Sequence, residues 1–469
     1  MVIGVLADRV GRGIEDATHL VSETFLEPVV RLGVTGLARS GKTVFITSLV
    51  ANLMDRGRMP GLEAARSGRI RTAYLQPQPD DTVPRFDFEA HKNALLGAEP
   101  HWPKSTTQVS ELRLSLKVNP KGLLSGLSGP RTIHLDIVDY PGEWLLDLAL
   151  LDLDFVQWSQ AALARAESRP GFDAFSGMLS GAMPEGRLDE ETAKALAQAW
   201  SAHLQQARAA GYSDCTPGRF LLPGDLAGSP VLTFAPLPPG PAPRGSLARE
   251  FARRYEAYKS RIVKPFFRDH FARIDRQIVL VDALGAIHAG PAALADLRQT
   301  MAGILGAFRP GTNSFLTALM GRRVERILFA ATKADHIHHS QHDRLTAIMQ
   351  ALLREARDRA DFAGAETVAM SIAALRATTE ESRQIKGREV NLVRGYLQDG
   401  GREAALHPGD LPADPMAFLS PAEAGAATWL DAEFDVMRFR PAPLTLRAGE
   451  GPPHIRLDAA AEFLLSGKL

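Results

Sequence analysis

One cysteine, Cys215, stands among 469 residues. No internal disulfide and no cysteine-built zinc site can form from it, which suits a reducing cytoplasm. Net charge is missing as well: 54 Lys and Arg balance 54 Asp and Glu. No bulk positive field therefore draws the chain to nucleic acid or anionic lipid, and no nucleic-acid partner is expected. No run of about 18 apolar residues is free of charge, so no transmembrane helix is expected. The apolar start is broken by Asp8 and Arg9 too early for a secretory signal. No sequence repeat occurs, and no H-R-D-type loop supports phosphate transfer to a protein. The length suits two or three domains, or one domain with large insertions.

Glycine, by contrast, is concentrated in residues 33–43, GVTGLARSGKT. Gly36, Gly41, Lys42 and Thr43 satisfy G-x-x-x-x-G-K-[ST], the pattern of a loop whose backbone N–H groups wrap nucleotide phosphates. That meaning requires a strand before the loop and a helix after it. Residues 29–35 read as a short buried strand. Ile46, Leu49, Val50, Leu53 and Met54 then recur at helical spacing, on one face of a helix ending near Gly57. Gly36 and Gly41 permit positive φ and close approach of phosphate to backbone. The helix starting near Lys42 points its positive end at the phosphates, and Ala38, Arg39, Ser40 and Val44 belong to the same cradle. Lys42 supplies a point charge to the β- and γ-phosphates, and Thr43 offers a hydroxyl to Mg²⁺.

Further strands follow. Residues 111–118 alternate Leu112, Leu114, Leu116 and Val118, a half-buried strand. Residues 131–144 form another that runs into a turn at Pro141-Gly142, and the Pro/Gly-rich residues 119–130 join the two as a hairpin. Residues 276–285 and 324–335 are apolar with little alternation, as strands buried on both faces of a parallel sheet are. Residues 366–375 are a last buried strand, and helical patterns at 291–308 and 340–360 separate these three. Alternating strands and helices argue an open, mostly parallel α/β sheet. Residues 145–275 differ. Ala193, Leu196, Ala197, Trp200, Leu204 and Ala207 share one helical face behind a candidate N-cap, Asp189, and Phe251, Tyr255, Tyr258 and Ile262 share another. This stretch reads as a mainly helical insertion. Residues 14–26 also have helical spacing, for a helix packed on the core or lying on a membrane surface.

Two more motifs end apolar strands. In DYPG, Asp139 is placed to hold Mg²⁺ directly or through water, and the Gly142 N–H to meet the γ-phosphate. In TKAD, the Asp335 carboxylate can accept both N1–H and the N2 amino group of guanine, a contact adenine cannot make. The Lys333 stem can lie along the base plane, and Thr332 stands where such tetrads usually carry Asn. Residues 371–375, SIAAL, offer the backbone N–H of Ala373 or Ala374 to the base oxygen. His338 and His342 are spaced i, i+4 like a metal pair, with no third ligand evident and a solvated helix start as the simpler reading.

The order of these motifs resembles the Ras-like GTP-binding proteins. More narrowly, GLARSGKT, DYPGEW, VDALGAIHAGP, TKADHIH and IAALRAT resemble the YcjX-like family of bacterial stress-associated P-loop proteins, over most of the chain. The resemblance implies a Ras-like P-loop NTPase fold, binding of GTP, GDP and Mg²⁺, a cytoplasmic or membrane-peripheral location and a link to stress response.

The expected organisation is an N-terminal helix at 1–28 and a GTP-binding domain from 29–144 and 276–469. That domain carries a switch I insertion at 57–110 and a C-terminal extension at 376–469, and residues 145–275 form the helical insertion. The spacing supports insertions: 97 residues separate Lys42 from Asp139 and 196 separate Asp139 from Asp335, whereas one helix and one strand need about 30–40. Loops at 85–110 and 139–150 would switch between states, and either they or the insertion would meet a protein partner. Hydrolysis needs a switch I threonine on Mg²⁺, a group that orients water and often an arginine. Thr107, or its neighbour Thr106, is the candidate threonine. Glu143 stands where water is oriented, but its charge opposes the γ-phosphate, which points to slow hydrolysis. Arg39, Lys104, Arg165 and Arg169 could supply positive charge, and spacing selects none of them. An ATPase of mechanical type and a nucleotide-holding module without turnover are the rival readings.

Overall fold

The computed structural model describes residues 27–37, 39–104, 108–121, 129–307, 324–362, 365–416, 419–420 and 434–469. The expected N-terminal helix, Ala38, Thr106 and Thr107 lie outside them. Seven strands build the main sheet: β1 (Val29–Gly36), β2 (Ile70–Gln76), β3 (Ser110–Val118), β4 (Arg131–Asp139), β5 (Arg276–Val281), β6 (Arg326–Ala331) and β7 (Glu366–Ser371). Their order is β2-β3-β4-β1-β5-β6-β7. Strands β4, β1, β5, β6 and β7 run parallel, and only β3 opposes its neighbours. The chain thus has the α/β, mostly parallel architecture read from its alternating apolar runs, and β3 and β4 pair antiparallel, as the hairpin reading required.

One face of the sheet packs on helix α1 (Lys42–Met54) and on a C-terminal helix, Leu457–Leu465. Val30, Leu32 and Val34 of β1 meet Phe45, Ile46, Leu49 and Val50 there, joined by Leu457, Ala460 and Leu464. The side chains of β3 alternate as expected, but the strand is buried on both sides rather than half-buried. Its leucines enter that apolar layer. On the opposite face Arg113 makes a two-pronged ion pair with Asp136 (2.7 and 2.9 Å), and Ser115 Oγ lies 2.8 Å from His134 Nδ1. Arg113 with Asp136, and Ser115 with His134, thus satisfy one another in the buried layer.

The described residues from 142 to 275 hold helices and no named strand. The longest, α6 (Glu190–Ala209), follows α2 (Phe88–Leu96), α3 (Gly142–Leu146), α4 (Phe155–Ala166) and α5 (Phe172–Ser180). Asp189 caps α6 by accepting the Thr192 N–H at 2.9 Å, and the whole apolar face read from its sequence is buried. These helices do not form a core of their own. Trp158, Trp200 and Tyr255 belong to one continuous cluster with Val279 and Val281 of β5 and Phe329 of β6.

Four strands are not legible in the sequence. Strand β2 is a mostly half-buried edge strand without clean alternation. Strands β8 (Thr378–Ile385), β9 (Arg388–Tyr396) and β10 (Glu403–Leu406) form a separate antiparallel sheet inside the expected C-terminal extension. Between β8 and β9 the chain reverses in two residues, Lys386 and Gly387, both at positive φ (51° and 78°). That is the backbone a two-residue hairpin demands.

Candidate functional site

The motifs meet at the carboxyl ends of β1, β4, β6 and β7, where open α/β sheets bind ligands. At the end of β1, a Cβ on Gly36 would lie 2.7 Å from the Leu280 carbonyl oxygen, so only glycine fits. Gly41 (φ 83°) and Arg39 (φ 62°) take left-handed backbone as the chain turns into α1. The first turn of α1 carries no acidic residue, leaving its positive end for an anion. Lys42 folds back over the loop, and its Nζ donates to the Gly36 carbonyl at 2.9 Å. Thr43 is buried in the first turn, Ser40 is buried behind the loop, and Val44 is half-buried.

Asp139 ends β4 fully buried, opposite Val34 of β1. Three residues on, Gly142 starts α3 so close to the loop that a Cβ there would lie 2.5 Å from the Gly36 carbonyl oxygen. The DYPG turn and the phosphate loop are therefore in backbone contact. The oxygen donors of Thr43 and Asp139 are the hard ligands that suit Mg²⁺.

Residues 142–146 are not an exposed loop: all five are buried. Trp144 packs edge-on against Phe266 (5.6 Å) and under the Arg219 guanidinium (3.3 Å to the ring centre). Glu143 is 3% exposed and ion-paired with Arg208 of α6, Nη2 to Oε1 2.9 Å. The helical region touches Glu143 a second time, since a Cβ on Gly218 would lie 2.4 Å from the Glu143 carbonyl oxygen. Leu37, Arg39, Glu143 and Arg208 line one cavity of about 90 Å³. Arg208 escaped the sequence reading because its partner lies far upstream in the chain. Two arginines considered there are engaged elsewhere. Arg169 pairs with buried Asp296, and Arg165 lies 3.4 Å from Asp214. Lys104 is exposed, and among the described residues of 85–110, Phe88–Leu96 is helical.

At the end of β6, Thr332 does structural duty. Its N–H and its hydroxyl both donate to the Val281 carbonyl, at 2.9 and 3.2 Å. Lys333 takes left-handed backbone (φ 61°) and its ammonium pairs with Asp282 at the end of β5. Asp335 is 4% exposed, and its Oδ2 accepts the Ala377 N–H at 2.8 Å. The Ala373 N–H is already taken by the Ile455 carbonyl (3.0 Å), which leaves Ala374 as the better candidate of the two for a base contact. The i, i+4 histidine pair does not form. Helix α10 begins at His342, whose Nε2 faces the Ala334 carbonyl (2.8 Å), while His338 and His339 turn to Glu380. In that count α7 is Leu247–Tyr258, α8 is Ala283–Ala289 and α9 is Pro291–Ala307. Among the described residues no helix is long and apolar enough to cross a membrane.

Known proteins resemble this chain along nearly its whole length. Residues 30–469 match the profile of the YcjX-like family, DUF463. The chain is 36% identical over 455 residues to a protein of Escherichia coli (strain K12) named Ras-like GTPase YcjX, covering 94% of this chain and 96% of that one. It is 33% identical over 467 residues to a Shewanella oneidensis protein of the same name, covering 94% of each. The sheet order, the phosphate loop and the match across nearly the whole length have one explanation: this chain belongs to the YcjX-like family.

Proposed function

We propose that this protein is a GTP- and GDP-binding switch that hydrolyses GTP slowly, with Mg²⁺, to GDP and phosphate. The observation that carries the reading is the convergence of three motifs, distant in sequence, at one edge of the sheet: Gly36–Thr43, Asp139–Gly142 and Lys333–Asp335. The naming of both relatives as Ras-like GTPases supports it. In this reading the loop N–H groups and Lys42 bind the phosphates, Thr43, Asp139 and Thr107 hold the metal, and Asp335 selects guanine beside the Lys333 stem. Bound Mg²⁺ neutralises charge on the β- and γ-phosphates. A cytoplasmic setting, peripheral membrane association, a protein partner on the helical region and a stress-response role belong to the same proposal and rest on the family resemblance.

The test is calorimetric titration of the nucleotide-free protein, at fixed Mg²⁺, with GDP and then ADP, with Lys42→Ala as control. Tight GDP binding, no ADP binding and loss of GDP binding in the control are expected. Equal binding of GDP and ADP would replace this reading by the ATPase one. GTP binding with no turnover would leave a nucleotide-holding module.

A further inference from the structure

A carboxylate at Glu143 poses an electrostatic problem. If the GTPase reading holds, it lies beside the γ-phosphate, where an uncompensated negative charge repels the substrate. Burial makes this worse, because an ionised carboxylate at 3% exposure needs a partner. The partner is Arg208, from the last turn of α6, at 2.9 Å. We infer, on the basis of that reading, that Arg208 is a positioning residue for GTP binding and hydrolysis: it compensates the charge of Glu143 so that this carboxylate can stand next to the γ-phosphate and orient the attacking water.

Three observations carry this. First, Gly142 is in backbone contact with Gly36, so its neighbour Glu143 cannot move away from the phosphate loop without breaking that contact. Second, Arg208 and Glu143 line the same cavity as Leu37 and Arg39 of the loop, so the pair faces the loop rather than bulk solvent. Third, the ground around Arg208 is fixed. Just beyond it, Asp296 of α9 accepts the N–H groups of Ser213 (2.5 Å) and Asp214 (3.1 Å), and Arg169 Nη1 donates to the Asp214 carbonyl (2.5 Å). A buried ion pair, Arg169 with Asp296, thus anchors the 213–214 segment to α9. The chain that follows Arg208 is therefore tied to α9, and the Arg208 side chain, 27% exposed, reaches Glu143 from the end of a helix whose next turn is anchored. In the reaction the water oxygen bonds to the γ-phosphorus, the bond to the β–γ bridging oxygen breaks with its electron pair leaving on GDP, and the two water protons go to the phosphate released, one of them then passing to solvent. Glu143 accepts a hydrogen bond from that water, and the Arg208 guanidinium, 2.9 Å from Oε1, offsets its charge.

The test is a charge-neutralising pair of variants. Arg208→Gln keeps most of the side-chain bulk and removes the charge. Affinities for GDP and for the non-hydrolysable analogue GppNHp are measured by calorimetry at fixed Mg²⁺, with single-turnover GTP hydrolysis alongside. GDP lacks the γ-phosphate, so its affinity should stay within about threefold of the unaltered protein. GppNHp affinity should fall by roughly tenfold or more relative to GDP, and hydrolysis should slow. Adding Glu143→Gln to Arg208→Gln should restore GppNHp affinity without restoring hydrolysis, because a neutral amide needs no cation. Arg208→Lys should retain most of the GppNHp affinity. An unchanged GppNHp-to-GDP ratio in Arg208→Gln overturns the inference. So does an equal loss of both ligands, which marks a structural role, or a double variant no better than the single one. If the unaltered chain binds no GDP, the GTPase reading falls and takes this inference with it.

Discussion

Ala377 donates its backbone N–H to the Asp335 carboxylate at 2.8 Å, and the next residue, Thr378, donates its hydroxyl to the Asp335 carbonyl. The proposed base-reading side chain is thus oriented by the first residue of β8 and the one before it. Removing the Asp335 charge removes a two-pronged, charge-assisted contact to guanine, worth about 2 kcal/mol or more. Asp335→Asn keeps the shape and the acceptor for Ala377. GDP affinity should fall at least about tenfold while ADP affinity does not, read by calorimetry. Equal effects on both nucleotides would remove Asp335 from base selection.

Gly142→Ala tests the contact between the DYPG turn and the phosphate loop. The new methyl would lie 2.5 Å from the Gly36 carbonyl oxygen and 3.1 Å from the Leu37 nitrogen. Both are backbone atoms that cannot swing aside, so one of the two segments must shift. GppNHp binding is expected to weaken by more than about tenfold, with circular dichroism showing the fold retained.

Burial of Asp147 predicts a pH effect. Desolvation pushes its carboxyl from 3.8 up to about 7, although Tyr258 and the Gly218 N–H hydrogen-bond to it. The folded state therefore holds a proton that the unfolded chain releases near pH 4. Its contribution is full below about pH 4 and is lost as pH rises through 7, up to about 4 kcal/mol. Melting temperature should fall from pH 5 to pH 8, and Asp147→Asn should flatten part of that slope. A residual slope is expected from Glu111, also raised to about 7 by burial. Identical slopes in the two proteins would contradict the assignment.

The Arg113–Asp136 pair, with side chains 8% and 1% exposed, should be intolerant of halving. Asp136→Leu alone takes away the carboxylate that holds the buried Arg113 guanidinium in a two-pronged pair and is expected to cost about 3–5 kcal/mol in chemical denaturation. Arg113→Met with Asp136→Leu should recover most of that loss.

Legibility followed the physics of each segment. Strands β1, β4, β5 and β6 are apolar runs ended by motifs, and their burial on both faces is written in their composition. The phosphate loop was readable because Gly36 and Gly41 meet steric demands that few residues satisfy. Strand β8, TTEESRQI, is polar and half-exposed, so hydrophobic periodicity could not reveal it. The Lys386-Gly387 turn was the available signal. Arg208 was invisible for another reason: among many arginines only a tertiary contact distinguishes it, and Glu143 lies on a different element.

The cluster that runs from Val279 and Phe329 of the sheet through Trp144 to Trp158 and Trp200 has a mechanical consequence. With no dry seam of its own, the helical region shares its cohesion with the sheet, so the two should unfold in a single cooperative step. Movement of α3 then cannot be the local melting of a surface loop. Any displacement of α3 would therefore be shared by the helices packed on it.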